Sequence, residues 1–192
     1  MIIFLDNGHG VETTGKRSPD GVLREYKYTR EIANEVAKRL QAKGYRVILV
    51  TPEQEDTIIP IRANRVNRYK GNKALLVSIH LDAFDDKPWT DAHGWSVRIA
   101  PNASQNSKLL ADIFHKHVEK RGWFIKHQYP DKSYWVQNLG ILRRSFCPAI
   151  LTENLFQNNR QDYEYLLSDE GREAVITLHV DAIIDYIQQV EK

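Results

Sequence analysis

Short apolar runs recur along the chain: IIFLD (2–6), YRVILV (45–50), ALLVSIH (74–80), WSVRIA (95–100) and PAILTEN (148–154). Each is rich in aliphatic or β-branched residues and bounded by polar, Gly or Pro positions, so each predicts a strand. ALLVSIH is apolar on both faces at its start, the pattern of a strand covered on two sides. WSVRIA alternates, which predicts a strand nearer a sheet edge. Between these runs the period lengthens to that of a helix. Ile32, Val36 and Leu40, with Ala33 and Ala37 beside them, predict a helix over 28–43 that stops at Gly44. A second helix is predicted over 60–69, with Ile61 and Arg65 on one side and Arg62 close by. A third spans 104–121, with Leu109, Leu110, Ile113 and His117 on one face. A closing helix over 170–189 presents Val175, Leu178, Ala182, Ile183 and Tyr186.

Strand–helix alternation with short loops predicts an α/β fold. The expectation is a mostly parallel, twisted sheet of about six strands with helices on both faces, in a single domain over residues 1–192. No repeat or low-complexity tract divides the chain. Its 27 Lys and Arg against 25 Asp and Glu leave a net charge of +2, too balanced to predict a nucleic-acid partner. One cysteine, Cys147, allows no intrachain disulfide and reads as a small buried apolar residue beside Pro148. No stretch approaches 18 apolar residues, so no transmembrane segment is expected. MIIFLDNGHG lacks the basic and apolar regions of a signal peptide, and a monomer made in the cytoplasm is expected.

In open α/β sheets, ligands bind beyond the carboxyl ends of the strands. His9 follows the first strand in LDNGHG, with Gly8 and Gly10 freeing the backbone to turn. His80 ends the third strand, Glu153 follows PAILT, and Glu25 stands at the start of the first long helix, at the same end of the sheet. Two imidazoles and one carboxylate make the usual three-ligand set of a catalytic zinc, leaving a second carboxylate for acid–base work. Each residue also has an ordinary explanation. A histidine at a strand end can be structural, Glu25 can complement the helix dipole, and Glu153 can accept a loop hydrogen bond. The spacing is no compact signature of the HExxH kind.

The same residues give the chain a family likeness. It resembles the zinc-dependent N-acetylmuramoyl-L-alanine amidases of the group called amidase type 3. LDNGHG (5–10) answers that family's D-x-GHGG opening. Glu25 before YKYTREIANEVAKRL answers its helix-leading glutamate, and IPIRANRV (59–66) its arginine-containing helix. SIHLDA (78–83) answers an SIHANA-like strand end, and LGILRRSFCPAILTENLFQNN (139–159) a VLR…PAVLVETGFLSN-like segment. The likeness covers essentially the whole chain. Asn7 replaces the usual proline, Val11 the second glycine, Asp82 a common asparagine and Asn154 a threonine; no functional position is lost.

The resemblance implies Zn2+ bound by His9, Glu25 and His80, with Glu153 as the catalytic carboxylate. The implied substrate is peptidoglycan or a muropeptide, cut between the lactyl group of N-acetylmuramic acid and L-alanine. It implies cell-wall remodelling after export, or release from the cytoplasm as a phage-type endolysin. The alternatives are a zinc carboxypeptidase acting on cell-wall peptides and a non-catalytic peptidoglycan-binding module. Asp6 and Asp82 are candidates to orient the imidazoles. Arg144, beside Arg143, and His93 are candidate substrate contacts. His115, His117, His127 and His179 read as ordinary histidines. Trp89, Trp95, Trp123, Tyr134 and Trp135 read mostly as core or half-buried residues, those in the loops 84–94 and 123–136 also as candidates to stack on sugar rings. FDDKPWTDAHG (84–94) is too short for an occluding helix, so an open site is expected.

Overall fold

Residues 1–84 and 88–191 are described by the structure, a computed structural model. The elements run β1 (Ile2–Asn7), α1 (Glu25–Ala42), β2 (Arg46–Leu49), α2 (Ile59–Asn67), β3 (Ala74–Asp82), β4 (Ser96–Ile99), α3 (Gln105–Lys120), β5 (Trp135–Val136), α4 (Gly140–Arg144), β6 (Ala149–Phe156), α5 (Arg160–Leu167) and α6 (Asp169–Val190). Among the described residues one sheet, of order β2-β1-β3-β6-β4-β5, holds all six strands. Every pairing is parallel except β4 with β6. The predicted α/β architecture is the observed one. Asp85–Lys87, within the stretch read as too short for an occluding helix, lie outside the described residues.

The period-2 pleat sorts the strand residues into two cores. Ile3, Leu5, Leu75, Val77 and Ile79 pack with Ile32, Val36 and Leu40 of α1, Phe114 of α3 and Leu178 and Ile183 of α6. Ile2, Phe4, Leu76 and Leu151 point the other way, against Ala63 and Val66 of α2 and Ile141 and Leu142 of α4. The predicted apolar faces of α1 and α6 are buried throughout. That of α2 is not: Ile61 is exposed, and Arg62, Ala63 and Val66 face the sheet. WSVRIA is also more covered than its alternation suggests. The two-residue β5 lies outside it, and Ser96 and Arg98 are buried polar residues. Cys147 is buried as expected, which pushes its thiol up to about 12 and makes it inert.

β1 connects through α1 to β2 on one side of it, and β2 returns through α2 to β3 on the other. The crevice between β1 and β3 is therefore the topological switch point, where ligand sites form.

A buried polar chain crosses the sheet below that crevice. His179 of α6 donates Nδ1–H to Val175 O (2.8 Å), and its Nε2 accepts from the Thr152 hydroxyl (3.0 Å). Asn154 Nδ2 donates to Thr152 Oγ1 (3.0 Å) and to His80 O (3.0 Å), while its Oδ1 accepts from Trp95 Nε1 (3.2 Å). Burial lowers the His179 pKa to about 4. The unfolded imidazole titrates near the ordinary 6.5, so the folded state binds fewer protons between these values. The contribution to stability is complete above pH 6.5 and is lost as pH falls toward 4, by about 3 kcal/mol. Urea unfolding at pH 7 and pH 4 should show wild type losing about that much more stability than His179→Gln. An equal loss in both proteins would contradict a neutral buried imidazole.

Candidate functional site

The loop after β1 places His9, and three side chains hold its backbone. Arg62 Nη1 donates to Asn7 O (2.7 Å), Thr29 Oγ1 to Gly8 O (3.2 Å) and Arg30 Nη1 to His9 O (2.9 Å). Three consecutive carbonyls are thus claimed by α1 and α2. His9 itself takes the left-handed conformation, at φ 61°, whereas neither Gly8 nor Gly10 has a positive φ. The flanking glycines serve close approach rather than turning. A Cβ on Gly8 would sit 2.6 Å from His80 Nδ1 and 3.0 Å from Glu25 Oε1, and one on Gly10 would sit 2.1 Å from Asp56 N.

Glu25 is the first residue of α1 rather than preceding it, and it is fully buried. Its carboxylate does not cap its own helix. Oε1 accepts from Leu81 N of β3 (3.1 Å), lies 3.1 Å from His80 Nδ1 and lies 3.4 Å from His9 Nε2. Oε2 accepts from Gln157 Nε2 (3.4 Å). The His9 and His80 rings meet edge to face at 5.2 Å. Among the described residues, His9, Glu25 and His80 are the group able to hold a metal ion, their ligand atoms all within 4.8 Å of one another. Burial works against the Glu25 charge, but the His80 hydrogen bond and the two nearby imidazoles hold its pKa below the ordinary value. Burial lowers His9 to about 4, which leaves a neutral imidazole with a lone pair to offer. For His80, burial opposes protonation and Glu25 outweighs it, so its pKa rises.

Glu153 stands beside His80 as its register partner across β3 and β6. Burial, then the charge of Asp82, pushes its carboxyl up to about 8, and its Oε2 has no hydrogen-bond partner among the described residues. A buried carboxyl with an empty oxygen and a pKa near neutrality can both take and give a proton. Beside the imidazoles a groove of about 580 Å³ runs along His9, His80, Ile58, Ile59, Pro60 and Leu139.

The other candidates fall elsewhere. Asp6 accepts from Ser78 Oγ (2.6 Å) and pairs with Arg62 (3.0 Å), and Asp82 pairs with Arg98 (2.9 Å), so neither orients an imidazole. Arg144 is exposed at the far end of α4 from the groove, its carbonyl accepting from Asn67 Nδ2 (2.8 Å). His93 packs on Phe124 at 4.3 Å, with Nδ1 2.9 Å from Asp91 O, away from the three ligand-type residues. Trp89 and Trp135 already carry Arg160 and Arg98 on their faces, at 3.6 and 4.3 Å. Arg30, Arg62 and Gln157 support the site without having been singled out in the sequence. Only the arginine-bearing α2 hinted at one of them.

Arg62 also donates Nε–H to Thr57 O (2.6 Å), and it is as buried as its partner Asp6. Arg62→Ala would strand a buried carboxylate and free the Asn7 carbonyl, at a cost of about 3–5 kcal/mol in urea unfolding. Adding Asp6→Asn should recover part of that loss. If Arg62→Ala is as stable as wild type, the pair does not support the loop.

Residues 3–185 match the family described as N-acetylmuramoyl-L-alanine amidase. The endolysin of Bacillus phage SPP1 is 27% identical over 194 aligned positions, covering 100% of this chain and 68% of its own length. N-acetylmuramoyl-L-alanine amidase CwlM of Bacillus licheniformis is 27% identical over 183 positions, covering 94% of this chain and 66% of its own length. The chain thus spans about two thirds of these relatives. An N-acetylmuramoyl-L-alanine amidase from Clostridium difficile 630 shares the fold, with a TM-score of 0.83 at 24% identity over 97% of this chain and 96% of that one. The chain belongs to the N-acetylmuramoyl-L-alanine amidase family, whose members are hydrolases.

Proposed function

We propose that this protein hydrolyses the amide between the lactyl group of N-acetylmuramic acid and L-alanine in peptidoglycan. In this reading His9, Glu25 and His80 hold a zinc ion and Glu153 moves the proton. The carrying observation is the convergence of two imidazoles and one carboxylate, from the loop after β1, from β3 and from α1, on one point. Their chemistry fits zinc, which takes N and O ligands at about 2.0–2.1 Å and whose tetrahedral donors therefore lie about 3.3 Å apart. The spacings to Glu25 Oε1 are 3.1 and 3.4 Å, and all three ligand atoms lie within 4.8 Å of one another. When bound, the metal would polarise the amide carbonyl and acidify water.

The protein's own groups do the rest. Gln157 and Leu81 N–H fix the Glu25 carboxylate, and Gly8 leaves the space that the His80 ring occupies. Glu153 accepts a proton from the attacking water. It then returns that proton to the alanine nitrogen, which leaves only as an amine because the amide anion is too basic. The family membership and the likeness to an endolysin and an N-acetylmuramoyl-L-alanine amidase support this choice of bond over that of a zinc carboxypeptidase.

The test is product identification on purified peptidoglycan. Intact lactyl-muramic acid and new amino-terminal L-alanine are expected, and a released carboxy-terminal amino acid would establish the carboxypeptidase instead. Glu153→Gln should keep bound zinc and lose about 10²–10⁴-fold in turnover. Undiminished turnover would remove Glu153 from the reaction.

A further inference from the structure

We propose that Arg98 and Lys126 anchor the free α-carboxylate of the acidic residue that follows L-alanine in the stem peptide. The enzyme then favours stems in which this group is not amidated. The proposal rests on the amidase reading and deepens it.

Arg98 is 6% exposed on β4, yet only part of its guanidinium is used. Nη2 donates to Asp82 Oδ2 (2.9 Å). Nε lies 3.9 Å from Glu153 Oε1, too far for a hydrogen bond, and both Nε and Nη1 are buried without a partner among the described residues. Buried donors are normally satisfied, so two empty ones on one cation beside the proton carrier mark a place for an acceptor.

Lys126 approaches the same wall from the segment between α3 and β5. Its Nζ lies 4.5 Å from the Phe156 ring centroid, 5.1 Å from Phe84 and 5.6 Å from Trp135, the ring that also carries Arg98 at 4.3 Å. Among the described residues no carboxylate forms an ion pair with it. Two cations thus share one aromatic surface, Arg98 next to Glu153 and both acting on the Asp82 charge, with donors of Arg98 left over. A planar guanidinium beside an ammonium suits a carboxylate.

The reaction fixes which end of the substrate comes here. Glu153 must reach the leaving nitrogen, so the peptide departs on the Glu153 side. The muramic acid side then lies toward the groove at Ile58, Ile59 and Leu139. The stem continues from L-alanine into glutamate joined through its side chain, which leaves the α-carboxyl free or amidated. One extended residue spans about 3.3–3.6 Å, so this carboxyl falls about 6 Å from the scissile nitrogen. A nitrogen bonded to Glu153 at about 3 Å lies within about 7 Å of Arg98 Nε, so the carboxylate reaches the anchor without bending back.

The experiment compares kcat/KM on two soluble disaccharide tripeptides, L-alanyl-γ-D-glutamyl-L-lysine with the α-carboxyl free and with it amidated. Wild type should prefer the free acid by about ten-fold or more, the discrimination expected of a charge-assisted contact. The ratio should fall toward one in Lys126→Gln and in Arg98→Gln. Lys126 is half-exposed, so its variant reports even if the buried Arg98 variant misfolds. Equal use of the two substrates by wild type, or a preference that survives Lys126→Gln, overturns the anchor alone. If wild type cleaves neither substrate, the amidase reading falls and the anchor with it.

Discussion

The Glu25 carboxylate is the tie on which the site depends. It is fully buried at the first turn of α1, and it faces His9 from the loop after β1, His80 from β3 and the backbone of Leu81. A buried carboxylate is costly unless positive or hydrogen-bonding groups surround it. The two imidazoles and two N–H donors meet that need only when β1, α1 and β3 are packed in this order. The charge therefore makes the geometry of the switch-point crevice a condition of the fold. A dication at the same point would satisfy all three side chains at once.

The rest of the architecture serves this tie. Arg62, Thr29 and Arg30 each hold one carbonyl of the Asn7–Gly8–His9 backbone, so the left-handed conformation at His9 is fixed from outside the loop. Behind β3 and β6, His179, Thr152 and Asn154 pass hydrogen bonds through the sheet to the carbonyl of His80. Asn154 stands where the resembled family has threonine, and its two-ended amide bridges Trp95 and His80, which a threonine hydroxyl is too short to do. Adjacent to Glu153, Arg98 and Asp82 make a charged pair on the same sheet face, so this buried carboxyl has charges beside it as well.

The sheet was legible because strand runs and helix periods are local properties. The placing of His9 after β1 and of His80 near the end of β3 followed from them, and Glu25 from its place at the first helix, whereas β6 continues past Glu153 to Phe156. What the sequence did not reveal depends on contacts between distant segments. Arg30 reads as one more charge on an amphipathic helix until it meets the carbonyl of Glu53 at 2.8 Å and that of His9. The five residues of α4 and two of β5 are too short to show a period. The alternation of WSVRIA suggested a strand nearer an edge, because a polar residue turned toward a buried carboxyl and one turned toward water give the same pattern. Gly8 and Gly10 were read as hinges, when the packing of His80 and Asp56 against the loop demands their small size.

Zinc titration of the metal-free protein, wild type beside His9→Ala, His80→Ala and Glu25→Gln, tests most directly whether these residues form one centre. One zinc per chain is expected for wild type. Each folded variant should bind about 100-fold or more weakly, as loss of one of three protein ligands removes much of the site. Retention of wild-type affinity by any one of these variants would contradict a shared centre.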